Sequence, residues 1–177
     1  MAKSTSYAAS GLSFFGPDET LGSLEWSHKF RIQYTDFQTG GLFPNSGTTT
    51  QNCTPLVTTA INDWVGNLAI VVVKAFAGTS LSALTVAIGG NGGTGLAANA
   101  LCTTTAGNLY SATVGQLVQG DGTANENASG YFTAASALAA AFTSTGCNLS
   151  ALSAGILDIY FWVKPIGSMN KITYDLV

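Results

Sequence analysis

Residues 24–34 alternate strictly between large and polar side chains, and this period of two fits a strand but not a helix. One parity holds Leu24, Trp26, His28, Phe30, Ile32 and Tyr34, and the other holds Glu25, Ser27, Lys29, Arg31 and Gln33. Because successive side chains of a strand point to opposite faces, the segment predicts a long strand with one buried face and one face in water.

Further short apolar segments are separated by turn residues. They predict strands at 67–76, 81–89, 108–118, 131–142, 156–164 and 171–177. The turn sequence at 78–80 indicates that the first two form a hairpin or lie near each other. Residues 131–142 include an alanine run with helical propensity, but the shared parity of Phe132, Leu138 and Phe142 favours a strand. Residues 36–60 predict a long polar loop, and residues 96–102 a short helical turn.

Seven or eight strands without a long helix predict an all-β sandwich or barrel. Residues 1–22 have no clear period and predict an extended N-terminal arm, so the β domain is assigned to residues 23–177. A chain of 177 residues can bury a core without crosslinks. Cys53, Cys102 and Cys147 are odd in number and far apart, so we expect no disulfide framework.

Charged residues make up only 8% of the chain, against about 25% in ordinary globular proteins. Their place is taken by Thr, Ser, Gly, Ala and Asn, which gives a neutral surface with little repulsion to oppose close contact. The six basic residues are scattered and the net charge is −3, so we expect no nucleic-acid partner. The longest apolar run, residues 68–73, is too short to span a bilayer, and residues 1–7 lack the apolar region of a secretory signal; we expect no membrane partner.

The sequence offers little chemistry for catalysis. Its single histidine, His28, lies on the apolar face of the first predicted strand, which indicates a core or interface residue rather than a base in a cleft. One histidine and three distant cysteines do not provide a closed zinc site. We therefore predict no enzyme, no catalytic residue, no bound metal and no cofactor.

Two stretches partly match known binding motifs. Asp121, Thr123 and Asn125 alternate as at the start of a calcium-binding EF-hand loop, but Glu126 and Phe132 stand where that loop needs Gly and Glu. A turn is the simpler interpretation, and Ca²⁺ binding at 120–127 stays open. Residues 90–95 match the glycine fingerprint of dinucleotide sites, but no long helix follows and no acid appears before Asp121.

The strand patterns at 67–73 and 84–89, the turn at 120–122 and the closing stretch 142–161 resemble small virion proteins of tailed bacteriophages. The closing stretch in particular resembles the end of jelly-roll-like capsid decoration, or cement, proteins. The resemblance implies a single jelly-roll-like β-sandwich on the outer surface of a virion capsid. It also implies a homotrimer that bridges neighbouring copies of the major capsid protein.

Other roles stay open at this point. The same fold class occurs in phage tail, head-fibre and host-binding proteins. In such a role, the loops at 89–95 and 120–130 of this chain would contact a receptor. It also serves lectin-like binding modules, in which Trp26, Trp64 and Trp162 would stack on sugars.

Partner contacts are expected from the arm 1–22 and the loop 36–60. Phe14, Phe15 and Phe43 are the predicted anchors, because exposed apolar groups in loops usually mark contacts. The alternative is that these rings fold back onto the core.

Overall fold

The structure is a computed structural model, and it describes residues 28–61, 63–91, 96–110, 112–119, 130–133 and 135–165. The described residues form eight strands, in the order β1 (His28–Gln33), β2 (Thr50–Thr59), β3 (Asp63–Gly78), β4 (Ala83–Gly90), β5 (Leu117–Gln119), β6 (Gly130–Tyr131), β7 (Ser136–Thr145) and β8 (Leu152–Pro165). Two short 3₁₀ helices, Tyr34–Phe37 and Leu149–Ala151, are the helical elements of this part of the chain. The predicted all-β sandwich is confirmed.

The strands form two antiparallel sheets. Sheet A has the order β1-β8-β3-β5, with β6 also on β3, and sheet B has the order β2-β7-β4. Strands β5 and β6 lie along the same edge of β3, since Leu117–Gln119 faces Val71 to Ala69 and Gly130–Tyr131 faces Val65 and Trp64. Together they occupy a single strand position in sheet A.

Among the described strands, the pairing is nested from the outermost pair inwards. Strand β1 pairs with β8, β2 with β7, and β3 with β5 and β6, all antiparallel. The edge of β4 that does not pair with β7 carries two isolated bridges, Thr85 to Asn108 and Ile88 to Cys102. A strand at this position would pair with β4 and form a fourth nested pair. This nested order, split over two facing sheets, is the connectivity of a jelly roll.

Strand β1 shows why the alternation in the sequence was informative. Phe30 and Ile32 are buried between the sheets, whereas Arg31 is exposed on the opposite face. In β8 the residues paired with Phe30 and Ile32 are Ile159 and Leu157, which are also buried. Both strands therefore give alternate positions to one core, as a two-layer sandwich requires.

The core lies between the sheets and is rich in aromatic rings. Phe37 and Phe142 meet edge to face, with ring centroids 5.1 Å apart. Its largest fully buried side chains are Phe37, Phe132, Phe142, Phe161, Ile32, Ile70, Leu84, Ile88, Leu101, Leu109, Leu138 and Leu149. Phe37 and Leu149 belong to the two 3₁₀ helices, so side chains from the connections between strands also contribute to the core.

The prediction of one long loop at 36–60 is wrong, because Thr50–Thr59 forms β2. This is an edge strand whose register shifts between Cys53 and Val57, and Pro55 lies within that irregularity. The bulge breaks the two-residue period, and proline is tolerated at such a place because no ladder hydrogen bond is required of it. Together these features made the segment look like a polar loop.

Of the two arrangements predicted for the segments at 67–76 and 81–89, a hairpin or close neighbours, the hairpin is wrong. The segments form β3 and β4, but these strands belong to opposite sheets, and the turn at 79–82 crosses between the sheets. Strand β3 already has β8 on one edge and β5 with β6 on the other. No edge of β3 is left for β4.

Three further segments differ in detail from the predictions. Residues 96–102 form turns rather than helix, and Cys102 bridges to β4. Of the strand predicted at 108–118, only Leu117 and Val118 lie in β5, because residues 113–116 form a turn closed by the Gln116 amide on the Thr113 carbonyl. The strand predicted at 131–142 is confirmed from Ser136 onwards. The strand predicted at 171–177 lies outside the described residues.

Candidate interaction surfaces

A buried carboxylate lies on the outer face of sheet A. Asp158 is 3% exposed, and its oxygens accept hydrogen bonds from Arg31 Nε at 2.6 Å and Arg31 Nη2 at 2.7 Å. Lys29 Nζ lies 2.8 Å from Asp158 Oδ2 and 5.2 Å from the centroid of the Tyr160 ring. Strands β1 and β8 position this cluster, since Arg31 is paired directly with Asp158 and Lys29 with Tyr160.

The cluster is electrostatically satisfied. Burial alone would raise the pKa of Asp158, but the hydrogen bonds and charges of Arg31 and Lys29 outweigh it and hold that pKa below its ordinary value. Burial likewise opposes the charge on Lys29, yet Asp158 and Tyr160 together raise the pKa of Lys29. Both groups stay charged near neutral pH, so the arrangement fixes β1 on β8 and holds no group ready to exchange a proton.

The other described carboxylates accept hydrogen bonds from backbone amides. Asp36 accepts a hydrogen bond from the Gln33 amide at 2.7 Å, and Asp63 accepts one from the Ala60 amide at 2.7 Å. Both carboxylates are buried and organise turns. Within the described part of the chain, no three His, Cys, Asp or Glu side chains form a group that could hold a metal ion.

His28 is half-buried and stacks on Phe161, with ring centroids 5.2 Å apart and an interplanar angle of 5°. Burial lowers the pKa of His28. Burial also raises the pKa of the Cys53 thiol, which lies in the core, so this thiol is a poor nucleophile. The position of His28 at the rim of the core agrees with the sequence interpretation.

The outer face of sheet A combines cationic and aromatic side chains. Trp162 and Trp64 are half-buried on this face, where Trp162 pairs with Gly66. Lys74 is exposed on the same face, opposite Ile156. Trp162 therefore belongs to a sheet surface and not to the core between the sheets.

The outer face of sheet B is made of small uncharged side chains. Thr50, Thr143 and Thr85 form a row across the three strands, because both Thr50 and Thr85 are paired with Thr143. The next row along β7 is Asn52, Ala141 and Ala87. This face offers hydroxyl and methyl groups but no formal charge.

Four loops cross between the sheets at one end of the sandwich, which we call the loop end. They are residues 34–49 between β1 and β2, 79–82 between β3 and β4, 109–116 leading into β5, and 146–151 between β7 and β8. Asp36 is the single charged residue in these four loops, and it is 1% exposed. The opposite end receives the chain before His28 and the chain after Pro165.

Hydrogen bonds order the loop end. The Asn45 amide nitrogen donates to Thr48 Oγ1 at 2.8 Å and to the Thr50 carbonyl at 3.0 Å, and its oxygen accepts from the amides of Gly47 and Thr48. Ser144 Oγ donates to the Cys147 carbonyl at 2.7 Å, which closes the β7–β8 turn. The loop backbones therefore have internal partners and present a defined surface.

Exposed large hydrophobic residues concentrate at this end. In the described part of the chain they are Leu42 (43% exposed), Tyr110 (47%), Val114 (65%) and Ile61 (55%). The first three belong to loops 34–49 and 109–116, and only Ile61 lies at the opposite end, in the β2–β3 turn. The loop end thus joins absence of surface charge to exposed apolar groups, a combination typical of contact surfaces.

The three predicted anchors have different outcomes. Phe14 and Phe15 lie outside the described residues, as do Trp26, residues 92–95 of the glycine loop and residues 120–129. Phe43 is 8% exposed and packs against Phe30 with ring centroids 6.1 Å apart. The premise that Phe43 is exposed is therefore wrong, and the alternative in which its ring folds onto the core holds.

Sequence reasoning missed Leu42, Tyr110 and Val114. The signal was present in part, since the loop 36–60 was expected to contact partners and Leu42 is the neighbour of Phe43. Nothing in the sequence told which of the two adjacent apolar residues faces water. Tyr110 and Val114 were missed because their segment was assigned to a strand.

Comparison with known proteins adds no relative. No family model, no curated protein and no solved structure matches this chain. In the described part of the chain, no helix has the length and apolar character that crossing a bilayer requires. Functional inference therefore rests on the fold, its surfaces and the resemblance noted in the sequence.

Proposed function

We propose that this chain is a structural virion protein, a decoration or cement protein on the outer surface of a bacteriophage head. In this role it forms a homotrimer that bridges neighbouring copies of the major capsid protein. The observation that carries the proposal is a jelly-roll sandwich whose described acids, Asp36, Asp63 and Asp158, are all buried, and whose sheet B face and loop end carry no exposed charge.

The physical demands of the role match this surface. A head under internal DNA pressure gains strength from added contact area across the seams between capsomers. Neutral Thr, Ala, Asn and Gly surfaces approach one another without charge repulsion and without the desolvation of ions. The role needs neither catalysis nor a cofactor, and neither nucleic acid nor membrane is a partner in it.

The test is to locate the chain on particles. Heads assembled from the major capsid protein encoded in the same genome are mixed with the purified chain, pelleted and imaged by cryo-EM. The proposal expects hundreds of copies at regular positions on the outer shell and a higher temperature of DNA release from decorated heads. Heads that bind no copies of a correctly folded chain would refute it.

The predicted arm is tested in the same assay. Deletion of residues 1–22 leaves the described sandwich complete and removes Phe14 and Phe15. If these rings anchor the arm on a neighbour, the truncated chain binds heads more weakly than the full chain. Equal binding by both chains would remove the arm from the proposal and leave the decoration role in place.

A second candidate is a receptor-binding or lectin-like role, either in a tail or head fibre or in a separate module. It is favoured by Trp64 and Trp162, which share the outer face of sheet A instead of filling the core. Half-buried indole rings on a sheet surface are able to stack on sugars. A copy number of tens or fewer per virion, with hits on a glycan array, would favour this candidate over decoration.

A further inference from the structure

We propose that the outer face of sheet A binds an acidic polysaccharide, one in which carboxylated sugars alternate with neutral sugars. The inference rests on the second candidate function and not on the decoration role, because it gives a ligand class to the face that carries Trp64 and Trp162. It starts from two features that meet on this face, half-buried aromatic rings and exposed positive charge.

Within the described residues, exposed charge is positive. The chain has a net charge of −3, yet its described carboxylates, Asp36, Asp63 and Asp158, are all buried. Arg31 and Lys74, by contrast, are exposed, and both lie on the outer face of sheet A. An acidic chain whose described, exposed cations share one face presents a surface that is complementary to an anion.

Arg31 keeps part of its hydrogen-bonding capacity for a ligand. Its Nε and Nη2 atoms donate to Asp158, and its side chain is 42% exposed. Nη1 takes no part in these two bonds, so a guanidinium that is already held in place can donate to a second carboxylate. Because Lys29 also pairs with Asp158, two cations share one buried carboxylate and the cluster keeps a net positive charge.

Aromatic rings adjoin this cluster along β8. Tyr160 and Trp162 are half-buried and follow Asp158 at every second position, so they lie on the same face. Their partners across β3 are Ala69 and Gly66, which carry a methyl group and no side chain. The rings therefore have no bulky side chain opposite them on β3, and they can stack on the C–H face of a sugar.

The spacing of the cations favours an extended polymer of low charge density. Lys74 is in register with Ile156, and Arg31 is in register with Asp158, two residues further along β8. At about 4.8 Å between strands and about 3.3 Å per residue, the backbones of Arg31 and Lys74 lie roughly 12 Å apart. Single-stranded nucleic acid has a phosphate on every nucleotide and binds in grooves lined with positive charge. Two exposed cations at this distance suit a chain that is charged only on alternate sugars.

Titration of the purified full chain with hyaluronan oligosaccharides, in which carboxylated and neutral sugars alternate, is the first measurement. The indole N–H signals of the three tryptophans in a heteronuclear NMR spectrum report binding, and Trp64→Phe and Trp162→Phe assign them. We expect the Trp64 and Trp162 signals to shift, with a Kd of about 1 mM or tighter. Salt screens exposed ion pairs, so Kd should rise about threefold or more from about 50 mM to about 0.5 M NaCl. An unmoved Trp162 signal, or a Kd that salt leaves unchanged, would overturn the proposal.

Three other probes define the ligand class. Dextran represents a neutral polysaccharide, polyglutamate an acidic polypeptide and oligothymidylate a single-stranded nucleic acid. Each should bind at least about tenfold more weakly than hyaluronan. Dextran binding above this limit would overturn the role of the charge, and polyglutamate or oligothymidylate binding above it would overturn the polysaccharide as the occupant.

Two variants with the same change in net charge locate the site. Lys74→Gln removes a positive charge from the outer face of sheet A, and Thr143→Glu adds a negative charge to the outer face of sheet B. Both residues are exposed, so neither change should disturb the core. Lys74→Gln should weaken hyaluronan binding about two- to fivefold, as expected for one exposed ion pair, whereas Thr143→Glu should change Kd by less than about 1.5-fold. Equal effects of the two variants would overturn the assignment to sheet A.

Replacement of one ring tests the stacking contact. Trp162→Leu should weaken hyaluronan binding about fivefold or more, and Trp162→Phe, which keeps a ring, should retain most of the affinity. The same NMR spectra show whether each variant is folded. An unchanged Kd in Trp162→Leu would refute the stacking contact.

The outcomes separate this inference from both candidate functions. A chain that binds hyaluronan but no heads would refute decoration and support this site. Dextran binding that shifts the Trp162 signal as strongly as hyaluronan does would keep the lectin-like candidate and refute the acidic ligand. A chain that coats heads but binds none of the polysaccharides would refute this inference and leave decoration standing.

Discussion

Gly155 provides a sharp test of how β3 and β8 are held together. It lies in β8 with φ of +134°, a backbone conformation that side chains rarely adopt. A Cβ atom at this position would overlap the ring of Phe76, which is 6% exposed and belongs to the core. Gly155→Ala therefore forces either the backbone or a buried ring to move.

The cost has two parts. Holding a non-glycine residue at such a φ costs about 1–3 kcal/mol, and inserting a methyl group against a packed ring costs about 1–3 kcal/mol more. Together they lower the free energy of unfolding by about 2–6 kcal/mol. At roughly 2–4 °C per kcal/mol for a chain of this size, the melting temperature should fall by roughly 4–24 °C.

Urea denaturation and calorimetry measure the loss in the free energy of unfolding. A second glycine separates the cost of the backbone conformation from the cost of the contact with Phe76. Gly40 also has positive φ, at +80°, but no atom lies within 4 Å of a Cβ built there. Gly40→Ala therefore bears the backbone cost alone, and Gly155→Ala should exceed it by about 1 kcal/mol or more. Equal losses in the two variants would refute the close contact between Gly155 and Phe76, and with it this account of the β3–β8 register.

Three further changes probe other contacts by urea denaturation. Asn45→Asp replaces buried amide donors by an anion facing oxygen atoms and should lower the free energy of unfolding by about 2 kcal/mol or more; a loss under about 0.5 kcal/mol would contradict the network. Burial lowers the pKa of His28, so as the pH falls below its ordinary value of 6.5 the unfolded chain takes up the proton first and stability decreases. His28→Phe keeps a ring against Phe161 and should lose less stability than the wild type between about pH 7 and about pH 5, and equal losses would count against this explanation. Burial alone would raise the pKa of Asp158, but its cationic neighbours lower it, so its contribution is present above the ordinary value of 3.8 and disappears as the pH falls below it. Asp158→Asn should be less stable at about pH 7 and lose less stability than the wild type below about pH 4; unchanged stability at neutral pH would refute the role of the ion pair.

Strand β1 was predicted from local alternation, because its core-facing residues repeat every second position and this pattern survives in the sequence. Strands β3, β4 and β8 were predicted as short apolar segments between turn residues. Strand β2 was missed because the bulge between Cys53 and Val57 breaks that period. The assignment of residues 108–116 to a strand is wrong because it depended on alternating side chains, and apolar and small residues also alternate in a turn-rich loop.

The candidate surface was predicted only as a region. Loop 36–60 was expected to contact partners, and within it Leu42 is exposed. Phe43 was predicted as an anchor because exposed apolar groups in loops usually mark contacts, yet its ring reaches Phe30 while Leu42 faces water. The choice between neighbours depends on where the loop crosses the core, which is not a local property.

The amino-acid sequence by itself determined the all-β class, the amphipathic strands and the scarcity of charge, because these follow from side-chain period and composition. Tertiary structure alone decided that β3 and β4 separate into different sheets, since this depends on which strand edges are already occupied. It also decided that loops distant in sequence, carrying Leu42, Tyr110 and Val114, come to the same end of the sandwich. The pairing of β1 with β8 is a long-range arrangement, and no short window of sequence contains it.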